Sequence, residues 1–287
     1  MRRWPLALIL LPAVALGQLH RPVDPAEPDR RAAAGEARLS ASPAGRVVLR
    51  GIQAHGGLPA WFAGRALAFR YDYAPLNGRP RRDSTQVVDL LASRAYHTLR
   101  APVAGRFAWD GERAWADFPN PHEAAVRFWA LTPYYFVGMP FVLGDPGVNL
   151  ALSDDPAEAA GLPPAQAVRV TYDAGVGDAP DDYYVAYFAR DDGRLLAVRY
   201  VVSYKPFTAK MGVAHTPEKL LVYSDVRPVG PLRLAHRHDF HAFVDGRRGD
   251  KITVATVSDL TYSVPFDEAR LAMPAGAHLD RSLDTLR

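Results

Sequence analysis

The sequence predicts a mainly β protein, a single curved antiparallel sheet of about eleven strands that forms an open half-barrel. Two observations predict it. Apolar and polar residues alternate with a period of two over much of the chain, as in Leu67, Phe69 and Tyr71. Turn signals such as Asn77-Gly78 separate the alternating segments and favour hairpins. Because open twisted sheets rarely exceed about ten strands, a meander of this length must curl and enclose a space.

The same pattern predicts the order of helices and strands along the chain. A helix over 45–56, ended by glycines, precedes the sheet. Strands are predicted at 67–73, 83–90, 94–100, 106–110, 113–118, 166–172, 182–190, 194–204, 218–226, 232–243 and 251–262. A short helical turn over 265–271 closes the domain. No internal repeat interrupts this order, so one domain spanning 46–275 is expected.

The first seventeen residues have the features of a signal peptide. A positive start at Arg2 and Arg3 is followed by a short apolar run over 6–14 and by small residues before Gln18. That run is about half of the roughly 20 apolar residues that a membrane-spanning helix needs. The chain contains no cysteine, so no lipid can be attached at the cleavage site. We therefore expect a periplasmic or secreted protein with no integral membrane segment.

The two flanks of the domain carry no periodic pattern. Residues 18–45 contain four prolines among alanine, arginine and acidic residues, and they predict a disordered leader. Residues 276–287 predict a trailing C-terminal tail. The net charge is +3, of which Arg2 and Arg3 account for two, and the remaining arginines are scattered beside turns. We therefore expect no nucleic-acid partner.

The segment from Asn120 to Val148 breaks the strand pattern and is dense in aromatic residues. Residues 123–131 predict a helix that Pro133 ends. Aromatic side chains at this density must be buried. They are either a plug that fills the barrel or a movable lid over an apolar cavity, and a plug that yields becomes a lid. The candidate ligand-binding residues are Trp129, Tyr135, Phe136, Met139 and Phe141 here, with Tyr184, Tyr200, His236 and His238 on strands.

Patterns for catalysis and for metal binding are incomplete. His236 and His238 could point two imidazoles at one ion, but two ligands do not make a metal site and no spacing identifies a third. His122-Glu123 begins like a zinc-protease motif, but Val126 stands where the second histidine is required. No Gly-x-Ser-x-Gly elbow is present. We therefore expect no cofactor, no metal, no catalytic residue and no enzymatic activity.

Three blocks of sequence carry a family resemblance. They are AHGGLPAW at 54–61, YFVGMPFVLGDPGV at 135–148, and DYY at 182–184 leading into RYVVSY at 199–204. With the order of elements over 46–275, they resemble an uncharacterised branch, a domain of unknown function, of the LolA/LolB/LppX-like superfamily of exported half-barrels. The resemblance implies a helix before an eleven-stranded curved sheet, inserted helices that plug the concave side, and a cavity that takes acyl chains.

Three functions follow from these observations. The first is a carrier or chaperone that binds an apolar small molecule or acyl chain in the half-barrel. The second is a binding or structural module of the envelope, with a filled barrel and a protein partner. The third, a hydrolase or isomerase in the cavity, lacks a converging acid–base pair. A fully packed concave face would count against the first, and a broad exposed apolar patch outside the barrel would favour the second.

Overall fold

Thirteen strands of the described residues form one open antiparallel sheet, which confirms the predicted fold class. The computed structural model describes residues 24–179 and 181–284. The order across the sheet is β13-β5-β4-β3-β2-β1-β12-β11-β10-β9-β8-β7-β6. The strands are β1 Ala66–Pro75, β2 Arg82–Asp89, β3 Arg94–Ala101, β4 Gly105–Trp109, β5 Ala114–Ala116, β6 Val148–Ser153, β7 Ala165–Tyr172, β8 Tyr184–Ala189, β9 Leu195–Tyr200, β10 Lys219–Val229, β11 Leu232–Val244, β12 Arg247–Tyr262 and β13 His278–Leu279.

Each of the eleven predicted strands has its counterpart, and the two additional strands lie at the edges of the sheet. Strand β6 pairs with β7 directly after the aromatic segment, where the dense apolar residues hide the alternation. Strand β13 pairs with β5 through two residues, too few to show a period. The expectation that the chain trails off after residue 275 is therefore wrong for 278–279.

Five α-helices accompany the sheet in the described residues. They are α1 Glu27–Ser40, α2 Pro43–Ala54, α3 Leu58–Ala63, α4 Val126–Val137 and α5 Lys205–Met211. Helix α2 is the predicted N-terminal helix. It begins after Ser42, whose hydroxyl accepts a hydrogen bond from the Gly45 amide at 3.0 Å. The turn expected over 265–271 is a 3₁₀ turn at Glu268–Leu271.

The prediction of a disordered leader over 18–45 is wrong where the structure describes it. Residues 27–40 form α1, which buries Ala32 and Leu39 against the core. Ion pairs from Glu27 to Arg30 and Arg31 add local support on its exposed side. Prolines near the start of a helix are tolerated there, so their presence did not exclude it. The predicted signal peptide and residues 18–23 and 285–287 lie outside the described residues.

The concave face of the sheet holds the main core. Register places Tyr71 opposite Ser84 and Val257, so alternate residues of β1, β2 and β12 point inward together. Helix α4 and the following 3₁₀ turn Phe141–Gly144 lie on this face and share its core. We call residues 126–144 the plug.

The convex face carries smaller apolar clusters that the chain itself covers. The 3₁₀ turn Ala157–Ala160 packs on Val185 and Tyr187. The segment after β12 packs on Trp115, whose indole Nε1 donates to the Leu271 carbonyl at 2.8 Å. The exposed large apolar residues of the described chain belong mostly to separate turns and strands: Leu76, Val103, Leu152, Met211, Val213, Val244 and Met273.

Candidate functional site

The plug helix α4 is held by packing more than by its own hydrogen bonds. Its sequence is apolar on almost all sides, and its first residue follows Ala125, which has a left-handed backbone (φ 50°) and supplies no side-chain cap. Pro133 lies inside the helix rather than ending it, so the predicted boundary is wrong. A proline there leaves the carbonyl four residues earlier without its helical donor. The helix exists because its side chains are buried on the sheet.

Several predicted binding residues meet where the second half of α4 faces the sheet. The ring of Phe136 lies 5.3 Å from that of Tyr200 and 5.6 Å from that of Phe240. Tyr184 and Tyr200 stack with centroids 5.6 Å apart, and Tyr135 lies 5.4 Å from Tyr184. The Tyr223 hydroxyl donates to the Phe136 carbonyl at 3.2 Å. We call the inward aromatic residues Tyr73, Tyr184, Tyr200, Tyr223 and Phe240 the aromatic wall.

Trp129 covers the other end of this wall. Its ring lies 5.1 Å from Tyr73, and the guanidinium of Arg82 lies 4.7 Å from its centroid. Arg82 is 8% exposed and donates to the Ala124 carbonyl just before α4. Burial lowers the pKa of Arg82 to about 9. A buried cation therefore lies beneath the start of the plug.

Met139 and Phe141 are buried in the main core, but the contacts of Phe141 differ from those expected. Its ring stacks on Trp61 of α3 with centroids 4.5 Å apart and planes 2° apart. His55 approaches the same ring edge-on at 6.4 Å. Phe141 thus joins the plug to the N-terminal helices instead of touching the aromatic wall.

The two histidines of β11 have different environments. His238 is fully buried, and its Nδ1 lies 3.2 Å from the Tyr71 hydroxyl. Burial lowers the pKa of His238 to about 3, so the ring is neutral at pH 7. His236 is half-buried, and partial burial also lowers its pKa. Within the described ranges, no group of three or more His, Cys, Asp or Glu side chains is placed to hold a metal ion.

Sequence reasoning missed a polar pair on the inner face. Gln86 of β2 and His97 of β3 are cross-strand neighbours, 2% and 1% exposed. Nε2 of His97 lies 2.9 Å from the Ala130 carbonyl of α4, and burial lowers the pKa of His97 to about 3. Arg82, Gln86 and Val88 share one face of β2. That this face points inward is seen only once β2 is paired with β1, where Leu67 and Phe69 lie opposite Val88 and Gln86.

A second polar group lies near Tyr200. Asp182 accepts from the Ser203 amide at 2.5 Å and from its hydroxyl at 2.8 Å. Burial raises the pKa of Asp182 to about 6. Lys219, on the inner face of β10, donates to the Thr216 hydroxyl at 3.0 Å, and burial lowers its pKa to about 8. These charged groups have protein partners, so they define the polar rim of the aromatic wall.

The concave face is filled by the plug. Phe136, Tyr200 and Phe240 are each no more than 6% exposed. Two clefts of about 340 Å³ are lined by no residue of the aromatic wall. One is lined by Trp109, Arg127 and the C-terminal segment, and the other flanks the turn at 157–160. A ligand on the aromatic wall must therefore displace side chains of the plug.

Comparison with known proteins identifies solved structures that have a similar fold. No family model and no curated protein matches the sequence. A LolA superfamily protein from Nitrosomonas europaea superposes with a TM-score of 0.51 at 8% identity, covering 81% of this chain and 99% of that chain. A DUF1329 family protein from Desulfovibrio piger superposes with a TM-score of 0.50 at 13% identity, covering 84% and 97%.

A third solved structure is an outer membrane lipoprotein-sorting protein domain, described as putative, from Vibrio parahaemolyticus. Its TM-score is 0.40 at 10% identity, with coverage of 79% and 94%. Together the two closer superpositions show that this chain has a LolA-like fold, as the sequence resemblance predicts. In the part of the chain that the structure describes, no helix has both the length and the apolar character needed to cross a membrane.

Proposed function

We propose that this chain is an exported periplasmic protein that binds an apolar molecule, such as an acyl chain, on the aromatic wall. The proposal rests on the structure of the helix that covers the wall. The wall is covered by α4, which contains Pro133 and begins after Ala125, a residue that supplies no side-chain cap. Its own hydrogen bonds therefore stabilise α4 less than they would a helix without an internal proline.

The contacts between plug and wall also favour exchange with a ligand. Phe136 and Tyr135 meet Tyr200 and Tyr184 ring against ring. Such apolar contact is non-directional, so a hydrocarbon chain can replace it at similar free energy per unit of buried area. The strands around it are instead joined by backbone hydrogen bonds along their length. A ligand would therefore move the plug and leave the sheet in place.

The fold supports the same proposal. The LolA-like resemblance implies a concave side that takes acyl chains, and this chain has a LolA-like fold in which α4 is inserted between β5 and β6. Of the candidate ligand-binding residues, Trp129, Tyr135 and Phe136 belong to the plug, and Tyr184 and Tyr200 belong to the wall. The ring of His238 lies 5.0 Å from that of Tyr223. The proposed role is to hold or carry the ligand, and it involves no catalysis.

Tryptophan quenching by a brominated fatty acid tests this location. Bromine atoms quench an indole only at contact, and Trp129 lies on the concave side whereas Trp115 lies on the convex side under Leu271. Titration with dibromostearate should quench the protein. The change should shrink markedly in Trp129→Phe and persist in the matched variant Trp115→Phe. Equal quenching in both variants, or none in the parent chain, would overturn the proposal.

A second candidate function is a filled barrel that serves as a binding module of the envelope. The packing of Phe136 and Phe141, 6% and 0% exposed, favours it. In that case the plug is permanent and the protein partner binds elsewhere on the surface. Saturating dibromostearate without any quenching, together with unchanged protection of the α4 amides from hydrogen exchange, would support this candidate over the first.

A further inference from the structure

We propose that the ligand carries one terminal acidic group, a carboxylate or a phosphate monoester, which is bound by Arg82 and Gln86 beneath the first turns of α4. This inference rests on the proposed function, because it concerns the same concave site. It adds the chemical class of the ligand and the end of the wall at which its polar group lies.

Arg82 supplies a buried positive charge that the described residues do not neutralise. Its side chain points inward from β2, and it donates to the Ala124 carbonyl, while Nη1 has no hydrogen-bond partner among the described residues. The neighbouring Asp83 lies on the outer face, where Arg70, Arg81 and Arg100 surround it. A buried charge without a counter-ion is costly, so one anionic ligand group would complement it.

Gln86 and His97 add unpartnered polar atoms on the same inner face as this charge. Both amide atoms of Gln86 and Nδ1 of His97 are buried without a partner in the described chain. Since His97 is neutral and its Nε2 donates to the Ala130 carbonyl, Nδ1 is an acceptor. It can therefore pair with a ligand hydroxyl, such as that of a singly protonated phosphate monoester, and not with a carboxylate. Buried polar atoms are nearly always paired in proteins, so three such side chains on adjacent strands indicate a polar subsite.

The position of the subsite suits an amphiphile. Trp129 lies over Arg82 and also touches Tyr73, the first residue of the aromatic wall. From Tyr73 the wall continues to Phe240. Phe136 of the plug joins Phe240 to Tyr200, which stacks on Tyr184. A ligand with its acidic group at Arg82 would therefore lay its apolar body along the wall, under the second half of α4.

Lys219 is the rival cation on the inner face, and its contacts differ. Its ammonium group donates to the Thr216 hydroxyl at 3.0 Å and to the Pro217 carbonyl at 3.4 Å. Lys219 Nζ is not among the buried unpartnered atoms of the described chain, whereas Arg82 Nη1 is. Lys219 thus offers a matched control for the loss of an inner-face charge.

Isothermal titration with four sixteen-carbon probes tests the proposal. They are palmitate, hexadecyl phosphate, hexadecanol and methyl palmitate, and the proteins are the full mature chain, Arg82→Met and Lys219→Met. We expect the two acidic probes to bind at least about tenfold more tightly than the two neutral probes, because a charge-assisted hydrogen bond contributes affinity of that order. Arg82→Met should abolish that preference, whereas Lys219→Met should keep it. Thermal unfolding of Arg82→Met checks that the variant is folded.

The outcomes separate this inference from the function on which it rests. If all four probes bind equally well, the concave site binds apolar ligands and the acidic subsite is refuted. If the preference is lost in Lys219→Met and kept in Arg82→Met, the assignment to Arg82 is wrong. If only one acidic probe is preferred, that probe identifies the headgroup as carboxylate or phosphate and supports the subsite. If no probe binds, both proposals fail.

Discussion

The ring of Phe136 in the plug packs 5.3 Å from the ring of Tyr200 on β9, with the two planes tilted by 57°. Phe136 is 6% exposed and also contacts Phe240 on β11. One side chain of α4 therefore bridges two strands that β10 separates in the sheet. Loss of this contact would therefore show that the plug has moved away from the aromatic wall.

Replacing Phe136 by aspartate should unseat the plug. The change removes a buried aromatic ring and places a carboxylate against Tyr200, so we expect the free energy of unfolding to fall by at least about 3 kcal/mol. Urea denaturation followed by tryptophan fluorescence measures it. Leu76→Asp, at a residue that is 59% exposed, is the control and should change stability little. Unchanged stability of Phe136→Asp together with unchanged lipid binding would show that Phe136 is misplaced.

The buried histidines should make stability depend on pH. Burial lowers the pKa of His238 to about 3, below its unfolded value of 6.5, so the unfolded chain binds more protons between these values. Stability from this group is therefore complete above pH 6.5 and is lost as pH falls toward 3. His238→Asn should reduce the slope by up to about 1.4 kcal/mol per pH unit in that window.

Urea titrations at several pH values compare His238→Asn with His236→Asn and the parent chain. His236 is only half-buried, so its variant should change the slope less. The raised pKa values of Asp145 and Asp182, both about 6, oppose the histidines because they favour the folded state as pH falls. Only the difference between parent and variant is therefore diagnostic. An identical slope in His238→Asn and the parent would contradict the buried neutral histidine.

Helix α2 should not tolerate a methyl group at Gly51. A Cβ atom there would overlap the ring of Phe188 on β8, which is itself 1% exposed. We expect Gly51→Ala to lower the free energy of unfolding by about 1–3 kcal/mol, despite the higher helix propensity of alanine. Gln53→Ala, on the exposed side of the same helix, is the control. A more stable Gly51→Ala would mean that α2 does not pack on the sheet in this way.

Removing the proline of α4 should make the plug harder to displace. Pro133→Ala supplies the missing backbone donor inside the helix and raises helix propensity. We expect slower hydrogen exchange over 126–137 and slower uptake of dibromostearate. Hydrogen-exchange mass spectrometry and stopped-flow quenching measure these two effects. Faster uptake with slower exchange would separate plug stability from ligand entry and contradict the displacement model.

The sequence predicted the sheet well because alternation and hairpin turns are local signals. The strand from Leu67 to Tyr73 and the turn after it can be read without knowing any partner. The prediction from sequence failed for α1, because prolines and charges obscured a helix that is stabilised by burying Leu39 against distant residues. The prediction also placed the end of α4 at Pro133. Local propensity does not reveal that packing on a sheet can stabilise a helix that continues past a proline.

The candidate site was predicted only in its aromatic part. Aromatic density identified Phe136 and Trp129, but the direction of Phe141 toward Trp61 depends on how the plug folds back on α3. Gln86 and His97 were missed because polar residues in a strand are usually exposed, and only the register of β2 against β1 and β3 shows that these two face inward.

Native mass spectrometry with organic extraction tests the central claim most directly. The mature protein would be purified from a bacterial periplasm, measured intact, and extracted for lipid analysis. We predict a co-purifying fatty acid, phospholipid or other apolar molecule, or its uptake after delipidation and addition of palmitate. A clean mass of the chain alone, with no uptake of palmitate or of an apolar dye, would contradict the claim and leave a half-barrel permanently filled by its own plug.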